Sequence, residues 1–174
     1  MATVSDAGPL IWLGKYNNLN LLKRMYSEAL VPEAVYKETV TLGLEKGFKD
    51  AKIISRAVQD KWIKLCKPAT KFVGTVKRIE AKFNVKLGKG ERQAIALSLE
   101  KNISTILTND EDSYQVSKAL GLKPKGILYV LLKSVKETII NKTRAKKLFK
   151  QMLEDGFWLS PSIVYNFYEA LDKI

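Results

Sequence analysis

The sequence predicts an α/β protein built on a parallel sheet, and three observations support this fold class. A short β-capable run that begins at Thr3 ends in an acid, Asp6, and is followed by helical sequence. The run from Ser104 to Thr108 repeats this order of strand, acid and helix. Helical segments separate the two runs, and strands that alternate with helices pair in parallel. We therefore expect the acids that follow the strands at one sheet edge, where ligands bind in open α/β folds.

The opening segment contains the first candidate site residue. Gly8 frees the backbone to turn after Asp6, and Pro9 has the fixed φ that suits the first turn of a helix. Asp6 is thus expected at the carboxyl end of an N-terminal strand. The alternative is that Asp6 only caps the helix, which is a common role for aspartate.

The following segment contains an acid in an unexpected place. The expected elements are helices over 10–13 and 19–25, an apolar run over 27–31 and a helix from Pro32 to Leu42. Glu38 falls in the apolar stripe of that last helix, so it is expected to face the core. Because a buried carboxylate needs a cation, a hydrogen-bond partner or access to water, Glu38 is a candidate for a metal or polar site. A structural ion pair is the alternative.

The middle of the chain contributes a third acid. The expected elements are a helix over 48–58, a short or edge strand over 62–66 and a surface helix over 70–83. Gly88 and Gly90 then lead into a helix with Glu91 in its first turn, near the positive end of the helix dipole and on its inward-facing side. The Gly-x-Gly spacing lacks the sequence context of a phosphate loop, so nucleotide binding is not predicted here.

The strand over 104–108 is followed by a crowded acidic segment. Asp110 is expected to cap the next helix, and Asp112 suits its first turn. The crowding of these acids is also what a hard cation would bind. The expected elements beyond them are a turn and short strand over 121–126, and helices over 127–135, 141–153 and 162–172, the last capped by Ser160.

Length and composition indicate one domain. The 174 residues suffice for one well-buried core, so we expect a single domain over 1–174 with the helices from about 141 to 174 packing as an appendage. No apolar run approaches the roughly 20 residues that span a bilayer. The N-terminus lacks the features of a secretory signal, and the lone Cys66 cannot form an internal disulfide. We expect a cytoplasmic protein that does not contact a membrane.

The charge balance favours a polyanionic partner. Thirty Lys and Arg residues against eighteen Asp and Glu residues give a formal net charge of +12, which attracts nucleic acid. The alternative is a lysine-rich solubilising surface. Four cations lie near the acids in sequence and are candidates for phosphate contacts, with a solvated surface as the alternative for each: Lys15, Lys86, Lys89 and Arg92.

The absence of histidine excludes several mechanisms. Ser-His-Asp and Cys-His triads need an imidazole, and a zinc site of thiolate and imidazole ligands is excluded in a chain with one cysteine. Chemistry therefore falls to carboxylates, lysines, hydroxyls or a bound cofactor. Carboxylates indicate hard cations such as Mg²⁺ or Mn²⁺.

The four singled-out acids are expected to converge. Asp6 and Asp110 follow strands at one sheet edge, and Glu38 and Glu91 lie on intervening helices that can bring them there. Four carboxylates drawn together repel one another unless a divalent cation neutralises them. In a basic protein, such a cluster fits metal-assisted phosphodiester cleavage.

Five short segments carry a resemblance to a known family. In chain order they read VSDAGPLI, LVPEAVYKE, GKGERQAIAL, TND and GFWLSP, at 4–11, 30–38, 88–97, 108–110 and 156–161. Together they resemble the PIN domain, and more narrowly the VapC-like branch of prokaryotic PIN proteins, whose first motif reads Asp-x-x-Pro-Leu-Ile. The resemblance covers nearly the whole chain.

The resemblance implies a three-layer α/β fold with a central, mostly parallel sheet, and a Mg²⁺- or Mn²⁺-dependent ribonuclease. Such proteins are often the toxin of a toxin–antitoxin pair and often dimeric, so RNA, a small antitoxin protein and a second copy of the chain are the implied partners. Matching motif by motif, Asp6, Glu38, Glu91 and Asp110 become the catalytic and metal-binding quartet, with Asp112 as a possible further ligand.

The chain departs from the family pattern directly after the first acid. Many relatives have a Ser or Thr there, often followed by Asn or Ser, whereas this chain has Ala7 and Gly8. The candidate substitutes for the lost hydroxyl are Ser5, Thr108 and Asn109. Two other functions stay open: a non-catalytic RNA-binding or protein-interaction module with the same fold, and a metal-dependent phosphatase or DNA nuclease.

Overall fold

A computed structural model describes residues 1–174 and confirms the predicted fold class. Five strands form one sheet in the order β3-β2-β1-β4-β5, and every neighbouring pair is parallel. The strands are β1 (Ala2–Ser5), β2 (Glu28–Pro32), β3 (Ile63–Cys66), β4 (Thr105–Leu107) and β5 (Lys123–Lys125). Because all five run in the same direction, their carboxyl ends lie at one edge of the sheet.

The register places the first and fourth strands side by side at the centre. Val4 of β1 lies opposite Leu30 of β2 and Ile106 of β4, and all three side chains are buried. A strand covered on both faces carries buried residues at successive positions, and Thr3, Val4 and Ser5 are each fully buried. Residues that follow β1 and β4, the positions of Asp6 and Asp110, are therefore brought together.

Helices account for most of the remaining chain. They are α1 (Ala7–Lys15), α2 (Asn20–Met25), α3 (Glu33–Tyr36), a π-helical turn (Lys37–Thr41), α4 (Leu42–Glu45), α5 (Lys49–Gln59), α6 (Thr70–Phe83), α7 (Lys89–Glu100), α8 (Glu111–Ala119), α9 (Ile127–Lys136), α10 (Lys142–Glu154) and α11 (Pro161–Asp172). None of these helices combines the length and the apolar character that crossing a bilayer would require.

One hydrophobic cluster holds α6, α7 and α8 on the sheet. The inward face of α7, from Ala94 to Leu97, packs with Val4 of β1, Ile106 of β4, Val76 of α6 and Val116 of α8, all of them buried. The predicted inward-facing row of α7 is thereby confirmed. This packing fixes the start of α7, and with it Glu91, relative to the carboxyl edge of the sheet.

The structure corrects the prediction for the helix that carries Glu38. The sequence predicts one regular helix from Pro32 to Leu42, but Pro32 is the last residue of β2, and the backbone makes a π-helical turn over Lys37–Thr41. The wider turn changes which side chains face inward, so Thr39 and Val40 are buried, whereas Glu38 and Leu42 are exposed. The predicted core-facing position of Glu38 is wrong because 3.6 residues per turn does not hold there.

The chain divides into two compact units, Met1–Gly126 and Ile127–Ile174. The first contains the sheet and the helices up to α8. The second contains α9, α10 and α11, which pack around an aromatic cluster of Phe149, Phe167 and Tyr168. As predicted, Ser160 caps α11, with Pro161 at its first position. The boundary falls before α9, and the prediction of one domain with an appendage from about 141 stays a prediction.

Candidate active site

The four predicted acids line one cavity at the carboxyl edge of the sheet. The cavity has a volume of about 410 Å³. Its lining combines carboxylates, an amide, small residues and one lysine: Asp6, Ala7, Gly8, Ile11, Glu38, Gly88, Lys89, Gly90, Glu91, Asn109 and Asp110. Residues from four separate parts of the chain thus meet at the point that the sequence predicts.

Asp6 lies at the base of this cavity and is only 3% exposed. Its Oδ1 accepts a hydrogen bond of 3.1 Å from the Gly8 N–H, so the residue caps α1 as well. Burial raises the pKa of Asp6 to about 7; the Thr108 hydroxyl and the Gly8 N–H act in the lowering direction, and the charges of Glu91 and Asp110 add to the rise. The carboxyl group most deeply placed in the cavity therefore resists ionisation.

Glu38 reaches the cavity from the π-helical turn. The residue as a whole is exposed, but its carboxylate is shielded on the cavity side, and this partial loss of water raises its pKa. The close approach depends on Gly90, because a Cβ there would lie 3.3 Å from Glu38 Oε2 and 3.2 Å from Val35 Cγ2. A glycine in α7 thus makes room for an acid from the neighbouring element.

Glu91 occupies the first turn of α7, where its carboxylate accepts a hydrogen bond from the Gly88 N–H. Burial is the main cause that raises the pKa of Glu91, and the negative charges of Asp110, Glu38 and Asp112 raise it further. The hydrogen bond from Gly88 acts in the opposite direction. The mutual influence of these charges shows that the cluster is electrostatically connected.

Asp110 both lines the cavity and caps α8. Its Oδ1 accepts a 2.7 Å hydrogen bond from the Ser113 N–H. Its own N–H donates to Thr108 Oγ1 over 3.2 Å, while the Thr108 hydroxyl bonds to the Asp6 carboxylate. Thr108 is 1% exposed and therefore links the two strand-end acids within the protein interior.

The other predicted supporting residues have different positions. Ser5 is fully buried, and its hydroxyl donates to the Asp6 carbonyl oxygen over 2.9 Å, so it holds the backbone and does not line the cavity. Asn109 lines the cavity, and its side chain lies beside Gly8, with Nδ2 3.4 Å from the point where a Cβ of Gly8 would be. Asp112 is half-buried and outside the lining.

The predicted phosphate-binding cations separate into two groups. Lys89 is exposed and is the only basic residue that lines the cavity. Lys15 ends α1, a helix of nine residues and therefore about 13 Å long, and its ammonium lies over the Trp12 ring, 5.3 Å from the centroid. Lys86 is exposed, outside the lining.

Arg92 has a structural role that the sequence did not indicate. Its Nη2 donates to Glu80 Oε1 over 2.7 Å and to the Leu87 carbonyl oxygen over 2.9 Å, and its Nε donates to the second Glu80 oxygen. Glu80 also accepts from the Leu87 N–H over 2.9 Å. With three of its donors engaged, Arg92 anchors the loop before α7, and the phosphate contact predicted for it stays a prediction.

The donor set fits a hard divalent cation. Carboxylate oxygens with one amide nearby are the ligands of Mg²⁺ and Mn²⁺, and lysine is the only countercharge in the lining. No three acidic or cysteine side chains are close enough together to form a ready-made metal cage. Mg²⁺ does not need such a cage, because it retains several waters and binds through one or two carboxylates and substrate phosphates.

Some residues of the cavity were not predicted as site residues. Gly90 and Ile11 line it, and Gly88 supplies an N–H to Glu91. The sequence signal for these glycines is the Gly88-Lys89-Gly90 motif, which by itself predicts only the start of a helix. Ile11 carries no chemical signal, since an isoleucine in an amphipathic helix ordinarily packs in a core.

Comparison with known proteins assigns the family. The family model described as PIN domain, DUF3368, matches residues 2–173. This chain belongs to the PIN-domain family. A search of curated proteins finds no match.

Solved structures show the same fold at low sequence identity. The chain is similar to VapBC2 from Rickettsia felis, bound to a promoter DNA fragment, with 15% identity, a TM-score of 0.53, and coverage of 72% of this chain and 98% of that one. For VapBC-1 from nontypeable Haemophilus influenzae, the identity is 13%, the TM-score 0.54 and the coverages 73% and 98%. For VapC20 from Mycobacterium tuberculosis, a sarcin-ricin loop cleaving toxin, the identity is 14% and the TM-score 0.50, and the match covers 70% of this chain and 96% of that one.

Proposed function

We propose that this chain is a Mg²⁺- or Mn²⁺-dependent endoribonuclease that hydrolyses phosphodiester bonds of RNA. The observation that carries the proposal is the convergence of Asp6, Glu38, Glu91 and Asp110 on one cavity. The raised pKa values of Asp6, Glu38 and Glu91 support it, because burial and crowding disfavour the charged forms that a divalent cation would stabilise. Family membership and the net charge of +12 point to the same substrate class.

Asp6 and Asp110 are the proposed primary ligands, since they follow two neighbouring strands of the sheet and Thr108 links them. Glu91, fixed by the Gly88 N–H, and Glu38 face the same space, and Asp112 is a more distant candidate. When bound, the cation would lower the pKa of a water and stabilise charge on the phosphate oxygens. Glu38 and Glu91 are the candidates to accept the water's proton, because burial raises the pKa of both carboxyl groups. Lys89 would contact a substrate phosphate.

We also propose a toxin role, with a small antitoxin protein as partner and a homodimer as the assembly. The support is that the structures from Rickettsia felis and Haemophilus influenzae with the same fold are VapBC proteins. Co-expression with the product of a neighbouring small gene, followed by size-exclusion chromatography, tests both points. A chain that stays monomeric and elutes alone would contradict them.

Metal titration of RNA cleavage tests the catalytic proposal. Asp6→Asn and Asp110→Asn should each lower cleavage at least a hundredfold, while both substitutions keep a helix-capping side chain. Glu45→Gln, which removes an exposed carboxylate of α4 outside the cavity lining, is the matched control and should lower cleavage less than fivefold. Cleavage that persists in both variants or in excess chelator would exclude the mechanism. Salt-sensitive RNA binding without turnover would favour a non-catalytic module, and cleavage of DNA alone would reassign the substrate.

A further inference from the structure

The acidic cavity of the proposed nuclease does not provide the positive charge that would attract a polyanion such as RNA. Its lining carries four carboxylates and one lysine, a formal charge of −3 when all are ionised. Phosphate neutralisation by Lys and Arg supplies most of the non-specific affinity of proteins for nucleic acid. The chain must therefore hold an RNA substrate mainly through cations outside the cavity, and this step rests on the proposed function.

A groove in the first unit provides such cations. Two adjoining cavities of about 440 and 470 Å³ share Arg56 and Asp60, and both lie along α5. We call them together the α5 groove. Its basic residues are Lys23 from α2 and Lys52 and Arg56 from α5, all exposed. Against one carboxylate, Asp60, they give the groove a formal charge of +2.

These three cations are uncompensated in the structure. Lys23, Lys52 and Arg56 form none of the ion pairs of the chain. Lys52 and Arg56 are also four residues apart on one helix face, where like charges destabilise a helix. Clustering of cations in a concave surface raises the local potential, which increases the concentration of anions there.

The neutral polar residues of the groove suit a phosphodiester backbone. Asn17 and Asn20 line one end, and Ser55 and Gln59 line the other. Together with Lys and Arg, these side chains are the usual donors to phosphate and sugar oxygens. Trp62 also lines the groove but is only 9% exposed, so base stacking on it is not expected.

We propose that the α5 groove binds the phosphodiester backbone of the RNA substrate at a distance from the cleaved bond. The groove begins at Asn17, just beyond the far end of α1, and the cavity lies at the start of the same helix. The nine residues of α1 set a separation of about 13 Å. An RNA that reaches both sites must therefore extend over more than one nucleotide.

Binding of a labelled single-stranded 20-nucleotide RNA to the full chain in EDTA tests the groove without depending on cleavage. Lys52→Gln combined with Arg56→Gln should weaken binding about tenfold and flatten the slope of log K against log salt by about 1.4, the value for two lost phosphate contacts. The matched control, Lys77→Gln with Lys82→Gln, removes the same charge from exposed positions of α6 and should change binding less than twofold.

The outcomes separate this inference from the proposed function. If both double variants weaken RNA binding equally, net charge alone attracts RNA and the groove is not a specific site. If Lys52→Gln with Arg56→Gln leaves RNA binding unchanged, the groove does not bind RNA. Displacement of RNA by poly-glutamate at equal charge concentration would show an acidic protein as the occupant. If the wild type binds RNA through the groove but shows no metal-dependent cleavage, only the proposed nuclease function is excluded. Unfolding midpoints equal to that of the wild type show that both variants are folded.

Discussion

At the residue scale, Asp6 has an observed role as a helix cap and a proposed role as a metal ligand, and the two can be measured separately. As the cap of α1 it needs only an acceptor oxygen, which asparagine also provides. As a buried acid with a pKa of about 7, it destabilises the metal-free protein whenever it is ionised. Capping and the proposed metal binding therefore make different demands on the same side chain.

Asp6→Asn should stabilise the metal-free protein at pH 8 while it abolishes cleavage. The pKa difference between Asp6 and an ordinary aspartate limits the increase in the free energy of unfolding to about 4 kcal/mol, and we expect an increase of about 1–4 kcal/mol. Urea unfolding of both proteins in EDTA measures it. The gain should shrink at pH 5, where the wild-type carboxyl is protonated. A variant less stable than the wild type at pH 8 would contradict the burial argument.

Glu80 and Arg92 form the ion pair that anchors the loop before α7. The Glu80 side chain is 7% exposed and that of Arg92 20%. The hydrogen bonds from Arg92 are the main cause that lowers the pKa of Glu80, so the ionised pair stabilises the fold above the ordinary glutamate range, and this contribution is lost as pH falls.

Glu80→Gln should cost about 2–4 kcal/mol at pH 7, because it leaves the half-buried guanidinium of Arg92 without its countercharge. Glu154→Gln is the matched control: Glu154 lies 3.7 Å from Lys150, both are more than half exposed, and the loss should be below about 0.5 kcal/mol. Thermal unfolding at pH 7 compares them. Equal losses would mean that the Glu80 pair is no stronger than a surface pair.

Charge alone could not assign a role to Arg92 from the sequence. Arg92 follows Glu91 directly, which suggested a phosphate contact, but Glu80 is twelve residues earlier on α6. Only the packing of α6 against α7 brings the pair together. Asp6 and Asp110 were predictable because an acid that follows a strand lies at the sheet edge whatever the rest of the chain does.

At the element scale, the close approach of α7 to the π-helical turn depends on one glycine. Alanine is ordinarily about 1 kcal/mol better than glycine inside a helix. At Gly90, however, the added Cβ would lie 3.2–3.3 Å from Val35 and from the Glu38 carboxylate. At Gly74, in the interior of α6, a Cβ meets no atom within 4 Å.

Gly74→Ala should therefore stabilise the protein by about 0.5–1 kcal/mol and leave cleavage unchanged. Gly90→Ala should gain less or nothing in stability and should lower metal-dependent cleavage about tenfold, because it displaces Glu38. Unfolding and cleavage measured on both variants separate helix propensity from site geometry. Wild-type cleavage by Gly90→Ala would show that the position of Glu38 is not critical.

The π-helical turn marks the limit of prediction from periodicity. Placing Glu38 in the apolar stripe assumed 3.6 residues per turn, and the stripe fails where the backbone widens at Lys37–Thr41. Thr39 is buried where the predicted stripe placed Glu38, and its hydroxyl donates to the Val35 carbonyl oxygen over 2.8 Å. Glu38 nevertheless lines the cavity, and its role as a site residue stays a prediction that rests on the cost of an acid in an apolar context.

At the scale of the whole molecule, the charge of +12 is unevenly distributed. Four of the eighteen acids line one cavity, and the α5 groove carries three cations without ion-pair partners. Composition predicts an anionic partner but not these positions, which depend on α2 and α5 lining one groove and on α1 and α7 lining one cavity. The fold class was predictable because hydrophobic periodicity and strand–helix alternation are local properties.

The raised pKa values of Asp6, Glu38 and Glu91 together predict how stability responds to pH and metal. Because the folded protein holds these protons to higher pH than the unfolded chain, the free energy of unfolding of the metal-free protein should fall as pH rises from about 4 to about 7. A divalent cation competes with those protons, so Mg²⁺ or Mn²⁺ should raise the unfolding midpoint more at pH 8 than at pH 5.5.

Thermal unfolding without Mg²⁺ and with about 10 mM Mg²⁺, a large excess over the protein, measures both effects. Asp6→Asn should have a smaller pH dependence than the wild type and a smaller response to the metal, whereas Glu45→Gln, an exposed acid outside the cavity lining, should keep both. A midpoint that changes from pH 5.5 to pH 8 by the same amount in wild type and Asp6→Asn would mean that other groups control the pH dependence. A metal response equal at the two pH values would place the bound cation away from these three carboxyl groups.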